Sequence, residues 1–505
     1  MESKDHPLGP DRRPSELLKR FARAKERRST WEAHWQECYD YALPLRDAVM
    51  QSPQPGEKKG DRLFDGTAPD AVDQLAASLL SELTPPWAQW FGFSPGPMLS
   101  EEEAQQAARV LDQAGTVLQG HFDRSNFAVE MHQCYLDLVT GGTACLLFEE
   151  ALPGESSAFR FTAVPLAQAV LEEGPDGRLD GTWRRSELTL VQLRTRYGGH
   201  AFPENMVKRA EEDPQTRFGV VEAVLPNGQG LYEYAAVLEE ADDDEALLAQ
   251  GRFAQSPFIN FRWLKAPGEI YGRSPVMKAL PDIKTANKVV ELVLKNATIA
   301  VTGIWQADDD GVLNPANIKL VPGTIIPKAV GSQGLQPLEA PGRFDISQLV
   351  LDDMRGRIRH ALLVDKLGQP DAPTMTATEV LERSADMARL LGATYGRLQC
   401  ELLTPLVMRA AAILRRRGEI PPLIVDGHTV DLQYRSPLAQ TQAQRDAQNM
   451  LTWLSSLAQL GPEGMQSVDA PAAARWLGRA FNIPADLMLS GPLRPQTPEV
   501  PHAQA

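Results

Sequence analysis

The stretch SPVMKALPDIKTANKVVELVLKNATIA, residues 274–300, decides the fold. Ser274 followed by Pro275 is a helix start, because the hydroxyl can cap a free backbone N–H and proline at the first helical position loses no hydrogen bond. The spacing predicts a helix running to Ala300, about 25 residues or ~38 Å long. Val276, Leu280, Ile283, Val290, Leu294 and Ala297 make its apolar side, broadened by Val289, Leu292 and Val293. Only Lys284, Lys288, Glu291 and Lys295 share a polar stripe. A helix with so little polar circumference expects contacts on more than one side, and therefore oligomerisation. Residues 301–343 hold no helical pattern, only Gly, Pro and short apolar pieces. Asp345 then restarts a helix to about Val364, with Ile346, Leu349, Val350, Ile358 and Leu362 on one side. The pattern is a pair of helices with a long insert between them.

Working outward, residues 15–43 read as a helix carrying Leu17, Leu18, Phe21, Ala24, Trp31, Trp35, Tyr39 and Leu43 at helical spacing. Its Lys19–Arg28 basic cluster reads as a solvated face. Residues 68–83 form a second helix, and Ser100 with Glu103 is a capping box for a third. Between residues 142 and 261 the texture becomes mixed, mostly antiparallel β, with runs at 143–149, 159–164, 219–225, 231–238 and 258–263. One helical insert lies near 189–197, and the acidic run 241–245 reads as an exposed loop. A Gly/Pro loop at 366–374 precedes a capping box at Thr376–Glu379 and a long helical stretch to Arg417, which Gly392, Gly396 and Pro405 should bend. A β segment at 424–434 and helices over 437–489 follow. The fold class is α+β, mainly helical.

The 505 residues suggest about three domains by length alone. Hydrophobic residues at 43% and charged residues at 23% fit an ordinary soluble globular protein. A formal charge of −15 argues against a dedicated nucleic-acid binder, which needs a basic face to neutralise phosphates. Four scattered cysteines, with no C-x-x-C spacing, fit neither a disulfide framework nor structural zinc and suit a reducing cytosol. The polar N-terminus has no signal-peptide core, and no apolar run is long enough for a membrane span.

Catalytic patterns fail one by one. Gly92-Phe-Ser-Pro-Gly96 matches a nucleophile elbow, but the residue after the serine is Pro95, which has no N–H for an oxyanion hole, so a turn is the reading. Asp308-Asp309-Asp310-Gly311 lacks the charge and the bidentate glutamate of a calcium loop. The eight histidines form no ligand pair, with His121 and His132 read as packing or surface residues, and there is no phosphate-binding loop. No catalytic residue, cofactor or metal is expected.

Six segments, in order, resemble the head-to-tail connector (portal) proteins of short-tailed, T7-like bacteriophages. They are LFDGTAPDAVDQLAASLLSELTPPWAQWFGF (63–93), GGTACLLFE (141–149), GEIYGRSPVMKALPDIKTANKV (268–289), PTMTATEVLER (373–383), LLTPLVMR (402–409) and YRSPLAQ (434–440). The resemblance implies a ring of about twelve subunits at one capsid vertex, through which double-stranded DNA enters and leaves. It implies a portal fold of wing, stem, clip and crown. Residues 1–270 and 418–436 would be wing, 271–300 and 344–365 the stem helices, and 301–343 the clip. Residues 366–375 would be the tunnel loop, 376–417 the channel helix, 437–490 the crown and 491–505 a flexible tail. An extended C-terminal helix is lacking, against a long internal barrel.

On that basis Lys284, Lys288, Lys295 and Lys366 are channel-facing candidates, with pairing to a neighbouring subunit as their alternative. Arg355, Arg357 and Arg359 are subunit-bridging candidates. Trp305, Asp308, Asp309 and Asp310 are candidates for docking on the clip. The implied partners are the packaging terminase large subunit, tail adaptor and tail proteins, capsid and scaffolding proteins, and DNA without sequence specificity, with no membrane. The implied location is the virion, after synthesis in the host bacterial cytoplasm. The alternatives are another capsid or scaffolding protein, or a DNA-processing enzyme such as a nuclease or motor subunit. Consecutive aspartates on a loop make poor metal cages for the latter.

Overall fold

The computed structural model describes residues 13–49, 59–96, 98–302, 305–306, 336–337, 344–364, 392–421, 430–435, 437–459 and 468–480. In chain order the helices are α1 (Pro14–Ala42), α2 (Thr67–Leu83), α3 (Glu101–Asp123), α4 (Phe127–Gly141), α5 (Leu190–Arg196), α6 (Glu204–Glu212) and α7 (Asp243–Ala246). They continue with α8 (Pro275–Thr302), α9 (Phe344–Ala361), α10 (Gly392–Leu398), a π-helical turn (Gln399–Leu403), α11 (Thr404–Arg417), α12 (Pro437–Gln459) and α13 (Ala470–Ala480). The strands are β1 (Phe91–Pro95), β2 (Thr143–Glu150), β3 (Phe159–Val164), β4 (Ala169–Glu172), β5 (Gly181–Thr189) and β6 (Arg217–Pro226). After them come β7 (Tyr232–Leu238), β8 (Leu247–Phe253), β9 (Phe258–Arg262), β10 (Trp305–Gln306), β11 (Gln336–Pro337) and β12 (Val430–Tyr434).

Every described ladder is antiparallel. β3-β2-β9 form one sheet, β4-β5-β6-β7-β8 a second, and β1-β12 and β10-β11 two ribbons. The main core joins α1, α2, α4, β2, the first half of α8, the end of α9 and α11. Rings of Trp90, Phe91, Phe122, Phe127, Phe148, Phe159 and Phe161 meet there at centroid distances such as 4.4 Å (Phe148–Phe161) and 4.9 Å (Phe122–Phe127), tilted and edge-on contacts that add to simple burial.

Three local expectations are corrected. The 92–96 segment is no turn but part of β1, where Ser94 is buried opposite Asp431. Burial of Trp90, Phe91 and Phe93 draws this segment into a ladder, and Pro95 sits at its last position, where a missing N–H costs least. The acidic run contains the helical turn α7, and Asp243 accepts hydrogen bonds from the N–H and the hydroxyl of Ser15, both at 2.8 Å. It thereby caps the first turn of α1, whose own N-cap residue Arg13 supplies none. Within the basic cluster, Arg28 is buried and donates to the carbonyls of Leu166, Ala167 and Ala169, tying α1 to the approach to β4. Strands β4, β5 and β8 were not foreseen at all.

Two glycines explain two of the quoted motifs. Gly142 has φ +78°, and a Cβ there would lie 2.4 Å from the carbonyl oxygen of Gly272. A Cβ on Gly272 would lie 2.2 Å from the carbonyl oxygen of Gly142. The chain crosses itself here backbone to backbone, sealed by Gly272 N–H donating to Thr143 Oγ1 at 2.8 Å and Trp263 N–H to the Gly142 carbonyl at 2.9 Å. Replacing either glycine with alanine is expected to cost about 2–4 kcal/mol. Denaturant unfolding should show this, while Gly154→Ala, at a positive-φ site with open space, should cost only the smaller backbone term, about 1–2 kcal/mol.

Candidate functional surfaces

The helix pair begins where the capping pattern places it. Ser274 Oγ accepts from Met277 N–H at 2.9 Å and donates to the Thr140 carbonyl at 2.8 Å, so the cap also fastens α8 to α4. The first half of α8 is embedded through Val276, Ala279, Leu280, Ile283 and Ala286. Asn287, the last buried residue on this side, accepts from Phe64 and Asp65 N–H and donates to the Arg62 carbonyl. α9 packs along α8. Its late residue Arg357 reaches the early Asp282 of α8 at 3.0 Å, so the two helices run antiparallel.

Beyond Asn287 the helices lose their cover. Leu292 and Leu294 on α8 are 49% and 51% exposed, and Leu349 and Val350 on α9 are 74% and 41% exposed. Of the expected apolar side of α9, Ile358 and Leu362 are buried. The ribbon β10-β11 pairs Trp305 with Pro337 and Gln306 with Gln336, joining the two ends of the insert.

The candidate residues fall as follows. Lys284 bonds Glu37 of α1 at 3.0 Å, and Lys288 and Lys295 both bond Glu291, at 2.9 and 2.6 Å. These contacts raise the Lys284 pKa and hold Glu291 below its ordinary value. All three lysines are exposed and each has a carboxylate from its own chain. Arg355 donates twice to the buried Asp65, at 2.9 and 2.7 Å, and thus bridges α9 to the start of α2. Burial would raise the Asp65 carboxyl, but bonds from Thr67 and Arg355 outweigh it and set the pKa below the usual carboxylate range. Arg357 pairs with Asp282, and Arg359 is exposed near the end of α9. Trp305 lies in β10. Lys366, Asp308, Asp309 and Asp310 lie outside the described residues.

Residues with no local sequence signal form the strongest polar node. Arg262, at the end of β9, is 1% exposed. Its guanidinium meets Glu401 through Nη2 at 2.6 Å and Nε at 3.2 Å, and its backbone N–H also donates to Glu401 at 2.9 Å. The remaining donors reach the carbonyls of Ile270 and Gly177, both at 3.0 Å. Glu401 sits in the π-helical turn, which arises because Pro405 has no N–H to return to residue 401. Thr404 Oγ1 bonds the Gln399 carbonyl instead, at 2.9 Å. The π-helical turn ahead of Pro405 thus carries the carboxylate that meets Arg262.

Two further groups are structural. Arg409 is buried over the Phe148 and Phe253 rings and donates to the carbonyls of Phe148 and Gln255. Burial pushes its pKa down to about 10. His121 is buried, accepts from Ala158 N–H at Nδ1 and so presents Nε2 to Glu419 at 2.7 Å. Among the described residues no group of three or more His, Cys, Asp or Glu could hold a metal, and no helix is long and apolar enough to cross a membrane.

The antiparallel helix pair thus displays leucines beyond its anchored root that this copy leaves uncovered. The sequence matches the bacteriophage head to tail connecting protein family over residues 14–489, and the chain belongs to that family. It is 25% identical over 499 residues to the probable portal protein of Bordetella phage BPP-1, covering 94% of this chain and 88% of the relative. The portal protein of Salmonella phage epsilon15 is 25% identical over 488 residues, 90% and 85% of the two chains. That of Escherichia phage T7 is 22% identical over 428 residues, 80% and 75%. A chain in the solved virion of a native gene transfer agent particle superposes with TM-score 0.38 at 12% identity, over 82% of this chain and 90% of that one. Membership makes this a structural portal component of a phage virion, not an enzyme.

Glu401→Ala strands a buried guanidinium and is expected to lower stability by about 3–5 kcal/mol in denaturant unfolding. The double variant Arg262→Met/Glu401→Met should recover much of that loss. For Asp65, whose folded pKa is depressed, stabilisation is complete above its unfolded pKa and lost as pH falls through the folded value. Arg355→Met should therefore cost about 1–2 kcal/mol at pH 7, with the difference from wild type closing in thermal unfolding as the pH falls below the ordinary carboxylate range.

Proposed function

We propose that about twelve copies of the chain close into a ring at one capsid vertex, forming the channel for genome packaging and ejection. The observation that carries this reading is the family match across nearly the whole chain. In this reading α8 and α9 are the stem, residues 301–343 the clip, 366–375 the tunnel loop and 376–417 the channel helix. Residues 1–270 and 418–436 are the wing and 437–490 the crown. The packaging terminase and later the tail adaptor dock on the clip, where Trp305 and Asp308–Asp310 lie; capsid and scaffolding proteins surround the wing. The exposed Leu292, Leu294, Leu349 and Val350 pack between neighbouring stems, which supplies the cover that one copy lacks.

A translocation channel must hold DNA weakly, because each phosphate neutralised by a free cation adds affinity through counterion release. Charge pairing along α8 supports that requirement. Lys284, Lys288 and Lys295 face the lumen in part, already partnered by Glu37 and Glu291, so they soften the acidic surround without gripping phosphates. Lys366 on the tunnel loop and Arg359 at the stem root add sparse positive points.

Electron microscopy of the purified protein is expected to show rings with a central hole and about twelve-fold symmetry; a monomer overturns the reading. Lys284→Glu/Lys288→Glu leaves Glu37 without its lysine and Glu291 with Lys295 alone, and lines the lumen with repulsion. Packaged DNA per particle should then fall by about threefold or more. Unchanged packaging places these lysines away from the channel.

A further inference from the structure

The root of α8 borders a feature that the channel reading leaves unused. Between the exposed side of α1 and residues 268–273 lies a cleft of about 560 Å³, lined by Arg27, Thr30, Trp31 and His34 on one side and residues 268–271 and Arg273 on the other. Its charges do not balance. Arg273 stacks on the Trp31 ring, 4.6 Å from the centroid, and pairs with Glu269, the cleft's one carboxylate. Arg27 is exposed and has no carboxylate partner among the described residues. His34 is held below its usual pKa by burial and then by the positive charge of Arg273.

We propose that this cleft is completed by a carboxylate side chain from a second copy of the chain, seated between Arg27 and Arg273 against Trp31. This rests on the ring reading. A guanidinium beside an aromatic face, already fixed by a stacked neighbour, is suited to an acidic peptide group. The chain itself supplies that chemistry, with 66 Asp and Glu against 51 Lys and Arg, so a neighbouring copy presents mainly acidic surface. Position agrees: the same side of α1 carries Glu37, which bonds Lys284, and α8 continues from there to the uncovered Leu292 and Leu294. DNA fits less well, because phosphate binding needs a row of cations and this cleft offers two beside a carboxylate. A buried small molecule fits less well too, since the cleft opens between an exposed helix side and a surface loop.

The test uses the full chain. Arg27→Glu breaks no side-chain hydrogen bond or ion pair among the described residues, so its melting temperature should stay close to wild type. Ring assembly, followed by analytical ultracentrifugation, should need about tenfold or more protein. A photocrosslinking residue in place of Thr30, in assembled rings and particles, should join to an Asp- or Glu-bearing peptide of a second copy. Arg27→Glu rings that assemble at wild-type concentration overturn the inference. So do intact rings whose crosslinks stay within one copy or reach DNA or another virion protein. A wild-type chain that never leaves the monomer overturns the ring reading itself, which separates the two failures.

Discussion

The backbone crossing of Gly142 and Gly272 is the constraint on which the remaining architecture depends. With no Cβ on either residue, the turn out of α4 and the approach to α8 touch directly. That contact brings Ser274 onto the last turn of α4, so α8 starts from a fixed point and in a fixed direction. A Cβ at 272 would also meet Arg262 at 2.9 Å, which places the buried guanidinium immediately beside the crossing. Arg262 then holds Glu401 and, through it, the π-helical turn ahead of α11. Three segments remote in sequence are locked around one point, and the long helix leaves from it.

This arrangement divides α8 into two halves with different needs. Its first half is held by core packing and by Asn287, which bonds the 62–65 backbone through its amide oxygen and one amide N–H. Among the described residues, the second half has α9 beside it, with isolated Lys–Glu pairs of modest value on the surface. Helical propensity alone would not keep two such solvated turns rigid. Copies packed side by side in a ring would supply the missing cover, so the hairpin's rigidity and the assembly are one problem with one solution.

Much of this was legible in the residues. The Ser274-Pro275 cap, the breadth of the α8 apolar side, the Ser100 capping box and the strands at 143–149 and 159–164 follow local rules, and local rules read well from a sequence. β1 was not legible, because Gly-Phe-Ser-Pro-Gly has turn chemistry and becomes a strand only through its distant partner β12. Arg262, Arg409 and Arg28 were equally silent. Each is a basic residue in an ordinary context, and each has at least one carbonyl or carboxylate partner 138 or more residues away. The six motifs led to the family, yet they could not say why Gly142 and Gly272 belong to it; geometry does.

The net charge of −15 looked like an argument against DNA. With the structure in hand it has a more specific meaning. Lys284, Lys288 and Lys295 each have a carboxylate partner in their own chain, so the positive charge of these three is already paired along α8. Long-range attraction to a polyanion is then weak, while its passage through a channel is not opposed by a sequence of strong contacts that must each be broken. Arg27 is one exposed cation without a carboxylate partner among the described residues. Arg27, away from the hairpin and beside an aromatic cleft, is therefore better explained by a protein carboxylate than by a phosphate, because a protein surface this acidic is what its neighbours in a ring would offer.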